Sequence, residues 1–103
     1  NSCKIDKVKA ILDSEKSVSH FLIKPEHIEP EFVTVQGMQA KLGEADILSV
    51  HQDLSMRRYS YPELQISFLF DTNQLVSATI GPVSWGELTP MAEYYIGSTK
   101  HRI

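Results

Sequence analysis

The residues of this chain that could do chemistry are four histidines, one cysteine and a scatter of carboxylates and serines. Zinc on a helix takes two ligands one turn apart, and on a strand two ligands with one residue between them. No pair among His20, His27, His51 and His101 meets either rule. His27 lies between Glu26 and Glu29, but in a proline-rich polar stretch this trio reads as a solvated loop. No metal site and no cofactor is expected. Ser84 lies in Gly81-Pro82-Val83-Ser84-Trp85-Gly86, where the first glycine stands one residue too far away for a nucleophile elbow. Its neighbourhood reads as turn chemistry. Cys3 sits near the start of the chain, without the fixed surroundings catalysis needs. A single cysteine also excludes an intramolecular disulfide and any multi-cysteine cluster. The five glycines are scattered and form no phosphate-cradling loop. With no assembled nucleophile, base and oxyanion donor, the sequence points away from an enzyme.

Binding residues stand out better. Glu26, Glu29 and Glu31 around Pro25 and Pro30 form the most acidic stretch, a candidate rim for steering a basic partner. Arg58, in the doublet Arg57-Arg58, is a candidate anchor for a partner carboxylate or else a solubilising edge charge. Trp85, Tyr94 and Tyr95 are the candidate aromatic anchors, since such side chains bury large area and keep a polar handle. Core packing is the competing reading for Trp85. On a helix, Tyr94 and Tyr95 would diverge by about 100°, so that one packs and the other is exposed. The net charge of −3 argues against a general nucleic-acid binder.

These residues need a scaffold, and 103 residues supply one domain spanning the whole chain, 1–103. No run of apolar residues reaches membrane-spanning length. Ile5, Val8, Ile11 and Leu12 predict a short amphipathic helix over 4–13, capped by Ser2. Ser14 to Ser17 is a polar break, and the run to Ile23 is too short to be assigned to strand or helix. Pro25 and Pro30 favour turns. Thr34 as N-cap, Val35, Met38 and Leu42 on one face, and Gly43 as terminator predict a second helix, with Gly37 as a weak point inside it.

From Asp46 the period changes to two. Ile47–Val50, Met56–Tyr61, Leu64–Phe70 and Leu75–Ile80 read as strands. Pro62-Glu63 and Asp71–Gln74 supply the turns, with Asn73 suited to a positive φ. Gly81-Pro82 ends the last strand. Thr89 or Pro90 then predicts the start of a last helical turn through Met91, Ala92 and Tyr95, and Ser98 to Ile103 reads as a frayed tail.

The order from Thr34 to Ile80 resembles the helix-plus-meander unit of the β-lactamase-inhibitor-protein repeat and of the small outer-membrane assembly lipoproteins. The shared features are a helix ending in Leu42-Gly43, a strand with Tyr59-Ser60-Tyr61, then Leu64-Gln65-Ile66-Ser67-Phe68, a turn with Asp71, and a closing Leu75-Val76. Glu44-Ala45-Asp46 replaces the proline that follows the helix in those families, and Thr72-Asn73 replaces their turn glycine. A looser likeness is to bacterial toxin-immunity proteins, which pair such a sheet with acidic loops. Both resemblances imply a binder of other proteins.

The expected fold is therefore α+β: an antiparallel meander of three to five strands with one or two short helices on one face. The expected core is Ile5, Val8, Leu12, Met38, Leu42, Tyr59, Ile66, Phe68, Val76, Ala78 and Ile80. Arg58, Ser60, Gln65, Ser67, Leu69, Ser77 and Thr79 fall on the other sheet face, with no helix left to cover it. The expected function is non-enzymatic binding of another protein, as inhibitor or immunity protein against a basic partner such as a nuclease toxin. The alternative is a ligand-binding or enzymatic domain with a cleft between helix and sheet, using Tyr59, Tyr61, His51 or the glutamates. A cytoplasmic and a periplasmic location both fit.

Overall fold

The computed structural model describes residues 8, 10–11, 21–51, 55–83, 91–97 and 99–102. Its centre is one antiparallel sheet of β1 (Phe21–Ile23), β2 (Ile47–Val50), β3 (Met56–Tyr61), β4 (Ile66–Asp71), β5 (Gln74–Ile80), β6 (Glu93–Ile96) and β7 (Thr99–Arg102). The spatial order is β1-β5-β4-β3-β2-β6-β7. The α+β class with antiparallel strands is as expected, but the described sheet has seven strands, not three to five. The expectations for Cys3, Ile5, Leu12, Ser14–Ser17, His20, Ser84, Trp85, Thr89 and Pro90 lie outside the described residues.

The helix expected after Thr34 forms as α1 (Val35–Leu42). The Thr34 hydroxyl accepts the Gly37 N–H at 3.1 Å, and Gly43 terminates the helix at φ +81°. Eight residues are too few for a stable isolated helix, so the sheet must hold it. The Asn73 side-chain oxygen, on the β4–β5 turn, accepts the Val35 N–H at 3.0 Å. At the other end the Tyr61 hydroxyl donates to the Gly43 carbonyl at 2.8 Å. Gly37 is a requirement rather than a weak point: a Cβ there would collide with the Glu31 carbonyl oxygen.

Cross-strand register sorts the side chains into two faces. Leu48, Tyr59, Phe68 and Ala78 stand in one row across β2, β3, β4 and β5. With Met38 of α1, Tyr61, Phe70 and Leu75 they build the larger core, into which Phe32 packs by stacking on Phe68 at 5.7 Å. Val76 was expected here but is exposed. The register shifts at Leu69/Phe70, so that Phe70 pairs with Leu75 and Val76 bulges out. Ile80 has the expected parity, yet it lies at the sheet's end and stays 44% exposed.

The opposite face is not open. Ser49, Ser60 and Ser67 are fully or almost fully buried, and Ser67 donates to Ser60 at 3.3 Å. Helical Val8 joins Ile47, Val83, Tyr94 and Ile96 in a second core there. Helical residues therefore pack on both faces, which corrects the expectation of helices on one. Serines suit such a face because small side chains let a covering layer approach closely.

Two further expectations are overturned at the C-terminal end. Glu93–Ile96 is a strand rather than a helical turn, because it satisfies the otherwise bare edge of β2, with Ile96 opposite Ile47 and Tyr94 opposite Ser49. The tail is not frayed: after a turn at Gly97, Thr99–Arg102 pairs back on β6. In the β4–β5 hairpin the positive φ falls on Thr72, at 61°, which frees Asn73 for its bond to α1. Leu64 is not in β4 either. It ends the Pro62–Leu64 3₁₀ turn, and left-handed Gln65 separates it from the strand.

Candidate functional site

The two prolines that disfavour a long helix start two 3₁₀ turns, Pro25–His27 and Pro30–Phe32. This segment crosses the end of the sheet on the α1 side. Between it and the strands lies a groove of about 420 Å³. Its floor is Phe68, Ala78, Ile66 and Ile23, and its walls are Phe32, Ile28, Leu42, Leu64 and Ile80. The polar residues of its lining are His27, Glu29 and Gln65. A volume at the lower end of the usual ligand-pocket range, with a mostly apolar lining, can take a large apolar side chain or a small apolar molecule.

Apolar surface continues beyond the groove. Phe21 and Leu22 of β1 are 68% and 63% exposed, and Leu64 is 57% exposed. Phe21 pairs with Ile80, which in turn pairs with Ile66, so three apolar side chains stand in a row leading into the groove. A dent of about 300 Å³ runs along β1, lined by Phe21, Leu22, Ile23, Lys24, Glu26 and His27. Groove and dent share Ile23 and His27, so they form one continuous surface.

The expected binding residues separate on this scaffold. Glu29 lines the groove, Glu26 lines the dent, and Glu31 is exposed on the second turn, so the acidic loop borders the apolar surface. Arg58 lies on the opposite sheet face, half-buried between Ser49 and Leu69. Tyr94 is buried on that same face, stacked on His101 at 4.8 Å, and burial pushes its phenol pKa up. As β6 is a strand, Tyr94 and Tyr95 point to opposite faces. Tyr95 is half-buried and donates to the Glu93 carboxylate at 3.0 Å. Five inter-strand steps of about 4.8 Å put these tyrosines about 24 Å from β1. The acidic loop and the tyrosine pair therefore do not form one cluster.

Two of the residues considered for a ligand-binding or enzymatic cleft, Tyr59 and Tyr61, pack in the larger core. Tyr61 holds the end of α1, and its phenol is pushed up to about 12, by burial first and then by the negative charges of Asp46, Tyr59 and Glu44. Tyr59 is buried edge-on against Phe70. Among the described residues no three His, Cys, Asp or Glu side chains gather as a metal site. No described helix is long and apolar enough to cross a membrane.

Phe21, Leu22, Leu64 and Ile80 are the site residues that sequence reasoning missed or assigned to the core. Leu64 follows Pro62-Glu63 and Ile80 directly precedes Gly81-Pro82, local signs that a strand stops there, but nothing local shows that they meet at one groove. No family model, curated protein or solved structure matches this chain.

Proposed function

We propose that this chain is a small non-enzymatic protein-binding domain, of inhibitor or toxin-immunity type, that engages a basic partner through the acidic-rimmed groove at the β1 end of the sheet. One observation carries the reading. Leu64 and Ile80 are exposed large hydrophobics on the groove, and Phe21 and Leu22 line the adjoining dent along β1, with Glu29 in the groove and Glu26 in the dent. Scattered exposed hydrophobics need no explanation, but a contiguous set rimmed by polar residues marks an interaction site. The apolar floor would supply the anchor pocket and the glutamates the steering field.

Two measurements test this. A photo-crosslinking residue at Leu64 should give a discrete heterologous adduct in extract of the native host, while the same residue at Thr99, exposed on β7 at the opposite end of the sheet, should not. Equal labelling at both positions would count against the groove. With the partner in hand, changing Glu26, Glu29 and Glu31 together to Gln should slow association several-fold at low salt and flatten its salt dependence, with dissociation less affected. Unchanged rates would remove the acidic loop from the mechanism.

The second reading, a domain that binds a small apolar ligand, is favoured by the position of the groove between α1 and the sheet. It predicts binding of an uncharged apolar probe that survives the triple glutamate change and needs no protein partner.

A further inference from the structure

We propose that the partner of this domain binds by strand addition: an extended segment pairs with the edge of β1 that no described strand covers, sends an apolar side chain into the groove and sets a lysine or arginine against Glu26 and Glu29. This rests on the protein-binding reading and names the occupant of that site as a basic, apolar-alternating segment of another protein.

Geometry supplies the first support. β1 is the terminal strand of the sheet, bonded on one side to β5 through Phe21↔Ile80, Leu22↔Thr79 and Ile23↔Ala78. No described strand lies on its other side, and alternate backbone N–H and C=O groups of an edge strand point outward. A strand added there would run about 4.8 Å away, over the dent along β1. Ile23 and His27 line both dent and groove, so a side chain leaving the added strand on the Phe21 and Ile23 face enters the groove directly.

Chemistry supplies the second. Backbone pairing gives affinity in this mode, and pockets for alternate side chains give specificity. The strand itself is unguarded: Phe21, Leu22 and Ile23 put no charge along an edge where proteins usually place lysine, proline or a bulge. Lys24 and Glu26 line the dent and Glu29 the groove, with Glu31 exposed on the next turn, so the border is acidic on balance and favours a basic residue on the incoming segment beside Glu26 and Glu29. A second copy of this chain fits less well, because it would bring together two molecules of net charge −3.

Random dodecapeptides displayed on phage are panned on the full chain, and the tightest are remade with backbone N-methyl groups at alternate residues, in each of the two possible registers. N-methylation blocks pairing only where the N–H faces β1. The expected result is peptides alternating apolar residues beside lysine or arginine, with one methylated register at least tenfold weaker and the other unchanged. Leu22→Lys should weaken them at least fivefold without moving the melting temperature. If both methylated registers bind equally well and Leu64→Asp abolishes binding, strand addition is wrong and the groove reading survives. If no peptide is enriched, or neither Leu22→Lys nor Leu64→Asp affects binding, both fail. A dimer in sedimentation that Leu22→Lys dissolves would assign the edge to a second copy and overturn the proposal.

Discussion

At one end of the sheet β7 carries Thr99, Lys100, His101 and Arg102; at the other β1 carries Phe21, Leu22 and Ile23. Lys100 reaches back to Glu93 at 3.2 Å, and His101 stacks on Tyr94, so the β7 edge is charged and tied down by its own neighbour. On β1, Phe21 and Leu22 are mostly exposed, and the chain beside them opens into an apolar groove. Both strands face the same hazard, an edge that templates pairing with another chain. One carries charge within the strand; the other is three apolar residues long, with Lys24 just past its end. The contrast therefore lies in the strands themselves, and in the proposed binding mode it would direct a partner to β1.

The largest change should come from beneath both edges. Phe68 floors the groove, stacks on Phe32 and meets Tyr61 edge-on at 6.3 Å. Phe68→Ala should cost about 3–5 kcal/mol in a denaturant titration, enough to unfold a marginal domain and erase the contrast altogether. A cost below about 1 kcal/mol would mean that the β4 register is wrong. A disturbance confined to the β1 side should follow Gly37→Ala, whose Cβ meets the Glu31 carbonyl. Forcing the Pro30–Phe32 turn outward should cost about 1–3 kcal/mol and weaken partner binding. A neutral result would show that the wall of the groove moves freely.

Alkaline titration probes the clamp that holds α1 beside the groove. The Tyr61 phenol is pushed up to about 12, chiefly by burial. Below pH 10 both folded and unfolded states keep its proton. Above it the unfolded phenol ionises first, so stability should fall as pH rises from about 10 towards 12. Tyr61→Phe should cost about 0.5–1.5 kcal/mol at neutral pH and flatten that alkaline decline. An unaltered decline in the variant would assign it to other groups.

Exchanging the two edges should alter stability least and association most. Lys100→Leu breaks a half-exposed ion pair worth about 0.2–1 kcal/mol. It should nevertheless increase self-association in light scattering, because it removes the guard from β7. Leu22→Lys should leave the melting temperature in place and make the β1 edge inert. If Lys100→Leu stays monodisperse, charge is not what blunts that edge.

Local chemistry made much of this scaffold readable. Thr34 and Gly43 bracket α1, and the alternation in Met56–Tyr61 and Ile66–Phe70 gives the central strands their faces, because caps and pleats depend on neighbouring residues. What depends on distant partners was not readable. Glu93–Ile96 carries a helix-start signal from Pro90 but pairs with β2, a partner more than forty residues earlier. The basic tail looks frayed until that strand exists to receive it. Ser60 and Ser67 read as solvent-facing by polarity, although the second core buries them. For the site, the acidity of Glu26, Glu29 and Glu31 was legible as charge. The groove beside them was not, since Leu64, Ile80 and Phe21 converge only through the order β1-β5-β4.

The central claim is that contact is made at the β1 end and not at the β7 end. The most direct test follows backbone amide chemical shifts of the labelled protein as the tightest panned peptide is added. Perturbations should concentrate at Phe21 to Ile23, His27 to Glu29, Leu64 to Ile66 and Ile80, leaving Glu93–Ile96 and Thr99–Arg102 unmoved. Shifts centred instead on Tyr94, Tyr95 and Thr99–Arg102 would contradict the account.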